Sequence, residues 1–323
     1  MKHVFILNPA AGSGRSLKIL PDIIAATSKA EVDYEVHRTV SIGGARNFVK
    51  SRLEQAGEEQ IRFYACGGDG TLNEVVNSTI GHDNAELAVV PVGTGNDFVR
   101  NFENPKDFLD FDKQLNGTVR RIDALGYEYV LYESSDTDAA SDVNTNSPIR
   151  QKGYALNMFN LGYDAEVVAK TAELKSGLLK GTSAYVAGVL SCLVKLNMMD
   201  IDIEIDGEKA FEGEYLMAGA ANGGFSGGGF HGLPVAKVDD GIMDMLLVKK
   251  ISRRFFLSIV KQYHDGKHLG NEKLEGLLFH RTCKEVLFRS EKPLTIAIDG
   301  ETAFANELKV KIIPDSVNFV IPG

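Results

Sequence analysis

Two patterns of apolar and polar positions alternate along roughly the first 110 residues. Short apolar and β-branched runs predict four strands, at Lys2–Leu7, Val32–Arg38, Arg62–Cys66 and Leu87–Val90. Apolar residues at helical spacing predict three helices between them, at Leu17–Ser28, Gly43–Gln55 and Thr71–Ser78. Strands that alternate with helices are typical of an α/β domain with an open, mostly parallel sheet.

Beyond about residue 120 the pattern changes to short strand-like runs that follow one another. Nine are predicted, at Tyr127–Glu133, Gly153–Leu161, Ile201–Asp206, Tyr215–Ala221, Met243–Lys249, Glu285–Phe288, Leu294–Asp299, Leu308–Ile313 and Asn318–Ile321. Helices are predicted at Ser183–Leu196 and Ser252–Tyr263, and the polar segment Ser134–Pro148 is predicted to be a flexible loop. The second region is therefore expected to be predominantly antiparallel β.

The composition narrows the class of protein. The chain has 323 residues, 44% of them hydrophobic, which favours two domains with a sizeable core. A formal net charge of −9 argues against general nucleic-acid binding, and only three cysteines indicate a reducing, cytoplasmic setting. The N-terminal residues lack the long apolar region of a signal peptide. The apolar run Ala184–Val194 is too short to span a bilayer, so only peripheral membrane contact stays open.

The 33 glycines point to the chemistry, because several of them form loops directly after predicted strands. These loops are Asn8–Gly14, Gly67–Thr71 and Gly93–Asp97. Exposed backbone N–H groups in such turns bind anions, and ligands of open α/β sheets bind at the carboxyl ends of the strands. One such loop alone is as often an ordinary connection, whereas three on successive strands favour a phosphate site. Asp69 and Asp97 are candidate ligands of a metal ion that neutralises phosphate charge.

Other motifs are excluded or given a plainer interpretation. Gly224–Gly228 matches the spacing of a hydrolase nucleophile elbow, but further glycines follow where that motif requires a helix. No G-x-x-x-x-G-K-[ST] sequence occurs, so the chain is not a P-loop kinase. Four basic residues precede Phe255–Leu257, and the favoured interpretation is a solvated helix start with a buried Phe face rather than contact with anionic headgroups.

The combination NPAAGSGR, GGDGTLNE and PVGTGNDF closely resembles the diacylglycerol kinase catalytic-domain family, which includes bacterial soluble lipid kinases and the sphingosine and ceramide kinases. The element GGDGT alone is less specific, because NAD kinases share it. The glycine-rich stretch 222–229 with Asp239-Asp240-Gly241, and later Asp299-Gly300-Glu301, resemble the family's second-domain signatures. The change of pattern near residue 120 places the domain boundary at about 120–125, which gives an α/β domain over 1–122 and a β-rich domain over 123–304. The resemblance implies that the first domain is similar to NAD kinase and phosphofructokinase and binds ATP, that the second binds the lipid, and that residues of about 305–323 return to the first domain.

The resemblance also assigns residues to roles. Glu301 matches the family's proposed general base, with Asp69 and Asp97 at the phosphates. The nucleotide site would comprise Asn8, Ala10, Gly12, Thr39, Gly67, Gly68, Asp69, Gly70, Thr71, Leu72, Asn73, Thr94 and Asn96. A structural magnesium would be held by the Asp240 side chain and by the backbone carbonyls of Lys237 and Ile242, with Asp123 linked to it through water.

The expected activity is transfer of the ATP γ-phosphoryl group to a lipid hydroxyl, with diacylglycerol as the acceptor, phosphatidic acid as the product, and ATP and Mg²⁺ as cofactors. Phosphatidylglycerol or a sphingoid base as acceptor, a soluble-nucleotide kinase similar to NAD kinase, and a non-catalytic nucleotide sensor stay open as alternatives. The expected partner is a lipid at the membrane surface and not a nucleic acid. The expected location is the cytoplasm, with contact at the inner face of the membrane and a homodimer both left open.

Overall fold

A computed structural model describes residues 1–132, 148–175 and 182–323 of the chain. The loop predicted over 134–148 lies outside these residues, except for Pro148. The strands are β1 Lys2–Leu7, β2 Tyr34–Arg38, β3 Ile61–Gly67, β4 Ala85–Pro91, β5 Thr118–Leu131, β6 Ile149–Ala155, β7 Met158–Gly162, β8 Met199–Ile205, β9 Glu208–Tyr215, β10 Met217–Ala221, β11 Met243–Val248, β12 Leu278–Cys283, β13 Glu285–Ile298 and β14 Glu301–Ile321. The helices are α1 Arg15–Lys18, α2 Leu20–Lys29, α3 Gly44–Ala56, α4 Asp69–Thr79, α5 Phe111–Leu115, α6 Tyr163–Lys175, α7 Thr182–Leu193 and α8 Arg253–His264.

The first domain is a parallel sheet in the order β4-β3-β1-β2, with helices on both faces. All seven residues of β3 are buried, as expected for a central parallel strand covered on both sides. One face packs α3 and α4 through Val49, Leu53 and Val76, and the other packs α2 through Ile23. The sheet therefore presents the carboxyl ends of four parallel strands along one edge.

The second domain is built from antiparallel strands. The order β12-β11-β10-β7-β13-β14 forms one ladder, while β8 and β9 extend from β13, and β5 and β6 extend from β14. Inward-facing residues such as Phe159, Met245, Phe288 and Val310 form its core. Helices α6, α7 and α8 pack against β10 and β11 through a separate apolar cluster that includes Tyr163 and Phe256. A parallel α/β domain followed by an antiparallel β domain is the fold class predicted from the sequence, which is thus confirmed.

Strand β14 belongs to both sheets. Its first part pairs with β13 and β5, and near its end Phe319 pairs in parallel with Leu87 of β4. The register between β14 and β5 shifts between Ile313 and Val317, where the ladder passes from one domain to the other. Asp123 lies at this bend, and its carboxylate accepts hydrogen bonds from the backbone N–H groups of Asp315 (2.8 Å) and Gly241 (2.7 Å).

Several elements differ from the sequence prediction. The run predicted as one strand over Gly153–Leu161 is two strands, interrupted at Leu156 and Asn157, whose N–H groups bind a carboxylate instead of a neighbouring strand. Conversely, β13 and β14 each unite two predicted strands. Helix α6 and strands β9 and β12 were not predicted. Strand β9 has mostly charged, exposed residues, so it carries little of the apolar signal on which a strand prediction depends.

Candidate active site

A cleft of about 1180 Å³ lies where the two domains meet, at the carboxyl ends of β1 to β4. The loops after these strands form one wall, and α6, α7 and α8 form another. Residues 299–301, at the turn between β13 and β14, lie beside both walls. This is the position at which ligands bind in open α/β sheets.

The loop after β1 is folded around glycine. Gly12 has φ +56°, and a β-carbon there would lie 2.0 Å from the Val92 carbonyl oxygen, so no larger residue fits. The Arg15 side chain donates to the Gly93 carbonyl oxygen at 2.6 Å, which joins this loop to the one after β4. The Asn8 amide donates to Thr71 Oγ1 at 2.9 Å and so joins it to α4.

The loops after β3 and β4 touch through glycines. A β-carbon on Gly93 would lie 2.3 Å from the Gly68 Cα, and one on Gly67 would lie 2.2 Å from Thr71 Oγ1. Asn96, at φ +54°, donates from its side-chain amide to the carbonyls of Pro91 and Gly93, both at 3.0 Å. Close backbone packing thus fixes the floor of the cleft before any ligand binds.

Two aspartates, Asp69 and Asp97, line the cleft at this floor. Asp69 Oδ1 accepts hydrogen bonds from the N–H groups of Asp97 (2.9 Å) and Phe98 (3.3 Å). Burial, and after it the negative charge of Asp97, raise the pKa of Asp69 to about 7. Asp69 begins α4, and its carboxylate and that of the neighbouring Asp97 are hard oxygen donors of the kind that a divalent cation prefers.

Asp97 also connects the two domains. Its Oδ2 accepts the N–H of Gly228 at 2.8 Å, and its Oδ1 lies 3.4 Å from Arg100 Nε. Beside it, Asn101 Oδ1 accepts the N–H of Gly224 at 2.7 Å. The glycine-rich segment 222–229 therefore crosses to the first domain, and its positive-φ turn at Gly227–Gly229 lies against the floor of the cleft.

In the motif Asp299-Gly300-Glu301, the first carboxylate binds the backbone and the second lines the cleft. The Asp299 carboxylate accepts the N–H groups of Leu156 (2.9 Å), Asn157 (3.0 Å) and Met158 (3.0 Å), which are left free by the break between β6 and β7. Glu301 instead faces the cleft and stays accessible to solvent. A β-carbon on Gly70 would lie 3.1 Å from Glu301 Oε1, so this carboxylate lies over the first turn of α4.

Glu301 has a negative neighbour in Glu74 of α4. Partial burial, then the charges of Glu74 and Asp299, raise the pKa of Glu301, while Arg46 opposes the increase. Glu74 itself accepts the N–H groups of Gly43 (2.9 Å), Ala45 (2.9 Å) and Arg46 (3.3 Å) at the beginning of α3. It thereby holds the loop after β2, which lines the cleft through Thr39 and Ile42.

The wall contributed by the second domain is mostly apolar. Its lining side chains are Val168, Ala172, Val189, Phe230, Phe256, Leu257 and Val260. Across the cleft from them are the glycine loops. The cleft therefore joins a polar region suited to phosphates with an apolar region suited to a hydrocarbon chain, and Glu301 is part of its lining.

The structure brings most of the predicted site residues to this one cleft. Its lining includes Asn8, Ala10, Gly12, Thr39, Gly68, Asp69, Gly70, Thr71, Thr94, Asp97 and Glu301. Four others lie behind the lining: Gly67 and Asn96 brace the loops, the Leu72 side chain is in the core, and Asn73 donates to the Tyr154 carbonyl at 3.1 Å. The segment 67–73 is not simply a loop, because α4 begins at Asp69.

The predicted structural magnesium site lies apart from the cleft, in the segment between β10 and β11. Asp240 is exposed, and its Oδ1 accepts the N–H of Ile242 at 3.1 Å. Lys237 and Ile242 are exposed as well, and Asp123 binds the segment through Gly241 N–H. Among the described residues, no group of three or more His, Cys, Asp or Glu side chains is placed to hold a metal ion. A metal here would depend on backbone carbonyls, and its presence stays a prediction.

Four supporting residues were not predicted from the sequence: Arg15, Glu74, Asn101 and Asn157. Arg15 and Glu74 end two of the glycine motifs, Asn101 lies three residues after the third, and Asn157 is near none of them. Each acts on a partner far away along the chain, as in the Asn101 contacts with Asn157 and Gly224. For Arg15 and Glu74, the position at the end of a motif was the available sequence signal of a supporting role. It does not reveal which distant backbone group a polar side chain will bind.

Comparisons with known proteins agree with this geometry. Residues 2–126 match the family model for the diacylglycerol kinase catalytic domain. Residues 157–321, more than half of the chain, match that for the YegS C-terminal NAD kinase beta sandwich-like domain. Similar proteins include diacylglycerol kinases of Staphylococcus saprophyticus (29% identical; 92% of this chain, 87% of the relative) and Bacillus subtilis strain 168 (29%; 92% and 88%).

A crystal structure of a diacylglycerol kinase from Bacillus anthracis str. Sterne has a similar fold. Its TM-score is 0.67 at 21% identity, over 99% of this chain and 96% of that one. Within the described part of the chain, no helix has the length and apolar character needed to cross a bilayer.

Proposed function

The chain belongs to the diacylglycerol kinase catalytic-domain family, and from that premise we propose that it transfers the γ-phosphoryl group of ATP to a lipid hydroxyl. The proposed acceptor is diacylglycerol, with phosphatidic acid as the product. The observation that carries the proposal is the composition of the cleft: the glycine loops, an apolar wall and the Glu301 carboxylate line the same cavity.

In this proposal the glycine loops bind the ATP phosphates through backbone N–H groups, with α4 adding its positive dipole end. The lipid hydroxyl lies against Glu301, and its hydrocarbon part lies along Phe256 and Val260. Glu301 takes the hydroxyl proton as the hydroxyl oxygen forms a bond to the γ-phosphorus, and the bond from that phosphorus to the leaving oxygen of ADP breaks. The raised pKa of Glu301 makes its carboxylate a stronger base for this transfer.

Asp69 and Asp97 are the residues that would hold a magnesium ion at the phosphates, since their adjacent carboxylates favour a cation. Bound there, Mg²⁺ would supply charge neutralisation for the transferred phosphoryl group. We also retain the proposal of a structural magnesium at Asp240 and the carbonyls of Lys237 and Ile242. It is supported by the way that Asp123 fixes this segment to the bend between the domains.

The test is a phosphoryl-transfer assay with Mg-ATP and separate acceptors: diacylglycerol, phosphatidylglycerol and sphingosine in mixed micelles, and NAD in solution. Mass spectrometry identifies the product. We expect phosphatidic acid, and a phosphorylated NAD alone would contradict the proposal. ATP binding without transfer to any acceptor would instead indicate a nucleotide sensor.

The matched control for this assay is Glu301→Gln, which keeps the size of the side chain but removes its basicity. We expect turnover to fall by about 10²–10⁴-fold, the usual contribution of a general base. Nucleotide binding, measured by calorimetry, should be preserved, because the glycine loops are unchanged. If Glu301→Gln phosphorylates the lipid at the rate of the natural protein, Glu301 is not the general base.

A further inference from the structure

A narrow cavity of about 30 Å³ adjoins the cleft, and we call it the side cavity. Asp97, Val168 and Gly300 line both spaces, so the side cavity is continuous with the cleft. A cavity needs about 10–15 Å³ to hold a water molecule. The side cavity therefore has room for a small polar group but not for an acyl chain.

Asn160 of β7 contributes an unpaired amide to the lining of the side cavity. The residue is only 6% exposed, and within the described part of the chain its side chain has no hydrogen-bond partner. Its neighbours across the sheet are Gly219 of β10 and Ala297 of β13, so neither adjoining strand covers it with a large side chain. Burying an amide without a hydrogen bond costs free energy, which a bound polar group would recover.

The other charged and amide groups of the side cavity already have partners. The carboxylates of Asp69, Asp97 and Asp299 each accept backbone N–H groups. The Asn157 amide donates to a backbone carbonyl oxygen. The unpaired amide of Asn160 is thus an exception in its own surroundings, and it is the group that a ligand would engage.

The lining also determines what kind of group can bind. Asp69, Asp97 and Asp299 line the side cavity, so a phosphate or another anion is repelled from it. A neutral oxygen that accepts hydrogen bonds fits, because the Asn160 amide and the hydroxyl of Ser226 can both donate to it. An ester carbonyl oxygen is a group of this kind and of this size.

The side cavity lies between the two regions that the proposed function assigns to the acceptor. Gly300, which lines it, directly precedes Glu301, and Val168, which also lines it, belongs to the apolar wall. In diacylglycerol the ester groups stand between the free hydroxyl and the hydrocarbon chains. A lipid with its hydroxyl at Glu301 and its chains along the apolar wall therefore places an ester group beside Asn160.

We infer that Asn160 donates a hydrogen bond from its side-chain amide to an ester carbonyl oxygen of the acceptor and so selects ester lipids. The inference rests on the proposed function for the identity of the acceptor. Asn160 moves no proton in this scheme. It determines which lipid binds with its hydroxyl at Glu301.

The test compares two acceptors that differ only in their carbonyl groups, dioctanoylglycerol and its dioctyl ether, in the same detergent micelles with Mg-ATP. We expect the natural protein to prefer the ester by about tenfold in kcat/KM, the effect of a hydrogen bond to a buried group that is otherwise unpaired. Asn160→Leu removes the amide at similar side-chain size. It should reduce the preference to about twofold or less through lower activity on the ester alone.

Two further variants make the comparison specific. Asn160→Ala removes the amide without adding apolar bulk and should abolish the preference in the same way. Thr171→Val is the matched control, because Thr171 is a buried polar residue of the cleft wall whose Oγ1 also has no partner among the described residues. This Oγ1 is enclosed against α7, 2.6 Å from where a β-carbon on Gly188 would stand. Thr171→Val should therefore keep the preference for the ester.

Three results would overturn the inference. The first is a natural protein that uses ester and ether equally, as expected if the side cavity holds only water. The second is a preference that survives in both Asn160→Leu and Asn160→Ala. The third is an equal loss of preference in Thr171→Val, which would indicate a general effect of polar groups in the wall.

Equilibrium binding of the two lipids, measured with ADP in place of ATP, separates this inference from the kinase proposal. Tighter binding of the ester that is lost in Asn160→Leu, without phosphoryl transfer by the natural protein, would support the role of Asn160 and contradict the kinase proposal. Transfer at equal rates to ester and ether would support the kinase and overturn the role of Asn160. Binding of neither lipid would overturn both. Binding of sphingosine that depends on Asn160 would also overturn the inference, because the amide would then accept from an amine.

Discussion

At the scale of single residues, the candidate site contains carboxylates that lie deep in the protein and accept hydrogen bonds from the backbone. Asp69 and Asp299 are enclosed by protein and held by backbone N–H groups, which supply part of the hydration that burial removes. Burial raises the pKa of both, and the neighbouring Asp97 raises that of Asp69 further. An arrangement of this kind costs stability in the free protein and favours the binding of a cation.

Asp69→Asn tests this cost. The pKa of Asp69 is raised from 3.8 to about 7, so the folded protein keeps a proton that the unfolded chain loses. Folding stability from this group is therefore lost as the pH rises from about 4 to about 7. The neutral amide avoids the loss. We expect the variant to gain on the order of 2 kcal/mol relative to the natural protein between pH 4 and pH 8, measured by urea unfolding without metal or nucleotide.

The control for Asp69→Asn is Asp83→Asn, since the Asp83 side chain is exposed in the turn before β4. The change that Asp83→Asn makes in the free energy of unfolding should vary by less than about 0.5 kcal/mol over the same pH range. If both variants show the same pH dependence, burial of Asp69 is not the cause.

The sequence predicted the identities of the cleft residues better than their contacts. Glycine loops after strands can be recognised in the sequence. At Gly12 and Gly93 the backbone approaches a neighbouring backbone so closely that no larger side chain fits. Glu74 and Asn157 carry no such signal, since their partners are backbone groups of distant segments. Their roles depend on how the chain folds back, which short-range spacing does not encode.

At the scale of elements, the beginning of α3 is held by a side chain of α4. Its N-cap residue is Gly43, which has no side chain to bind the free N–H groups of the first turn. Glu74 of α4 supplies that acceptor. The loop after β2 thus receives its position from the same helix that carries Asp69 and Gly70.

Glu74→Gln should therefore have two effects. The loss of a charged cap should reduce folding stability by about 0.5–2 kcal/mol. Removal of its negative charge should lower the pKa of Glu301, so the acid limb of the pH–rate profile should move to lower pH. Urea unfolding and the pH dependence of phosphoryl transfer measure these effects separately.

Glu54→Gln, an exposed change on α3, is the control for helix composition and should produce neither effect. A stability loss in Glu74→Gln without any movement of the acid limb would restrict Glu74 to a structural role.

Elements were predicted well where their burial is uniform. Strands β1, β3 and β4 were placed within two residues at each end, because central parallel strands are continuous apolar runs. Edge strand β9 and helix α6 were missed, since exposed or mixed positions weaken both periodicities. Strand β14 was divided in two because its polar middle, around Asp315, lies at the bend between the domains.

At the scale of the whole molecule, the two domains share one strand and are expected to unfold together. Phe319, near the end of β14, is fully buried in the first domain. It stacks on Phe102 with ring centroids 5.1 Å apart and meets Phe98 edge-on at 5.4 Å. The same strand carries Glu301 at its other end, in the second domain.

Phe319→Ala should lower the free energy of unfolding by about 3–5 kcal/mol, the range for a buried phenylalanine. Hydrogen exchange should then increase in β1, β3 and β4 and also in β13, since β14 pairs with strands of both sheets. Phe304→Ala, on the same strand but 58% exposed, should cost less than about 1 kcal/mol. Faster exchange confined to β1, β3 and β4 would contradict the shared unfolding.

The pairing of β14 with β4 has a consequence for biosynthesis. The partner of Leu87 is synthesised about 230 residues after it, and at 5–20 residues per second this takes about 10–50 s on the ribosome. Until then the nascent first domain has an unpaired edge at β4, whose Leu87–Val90 segment is apolar. Chaperones that shield exposed strand edges during translation should therefore influence the yield of this protein more than those that act after its release.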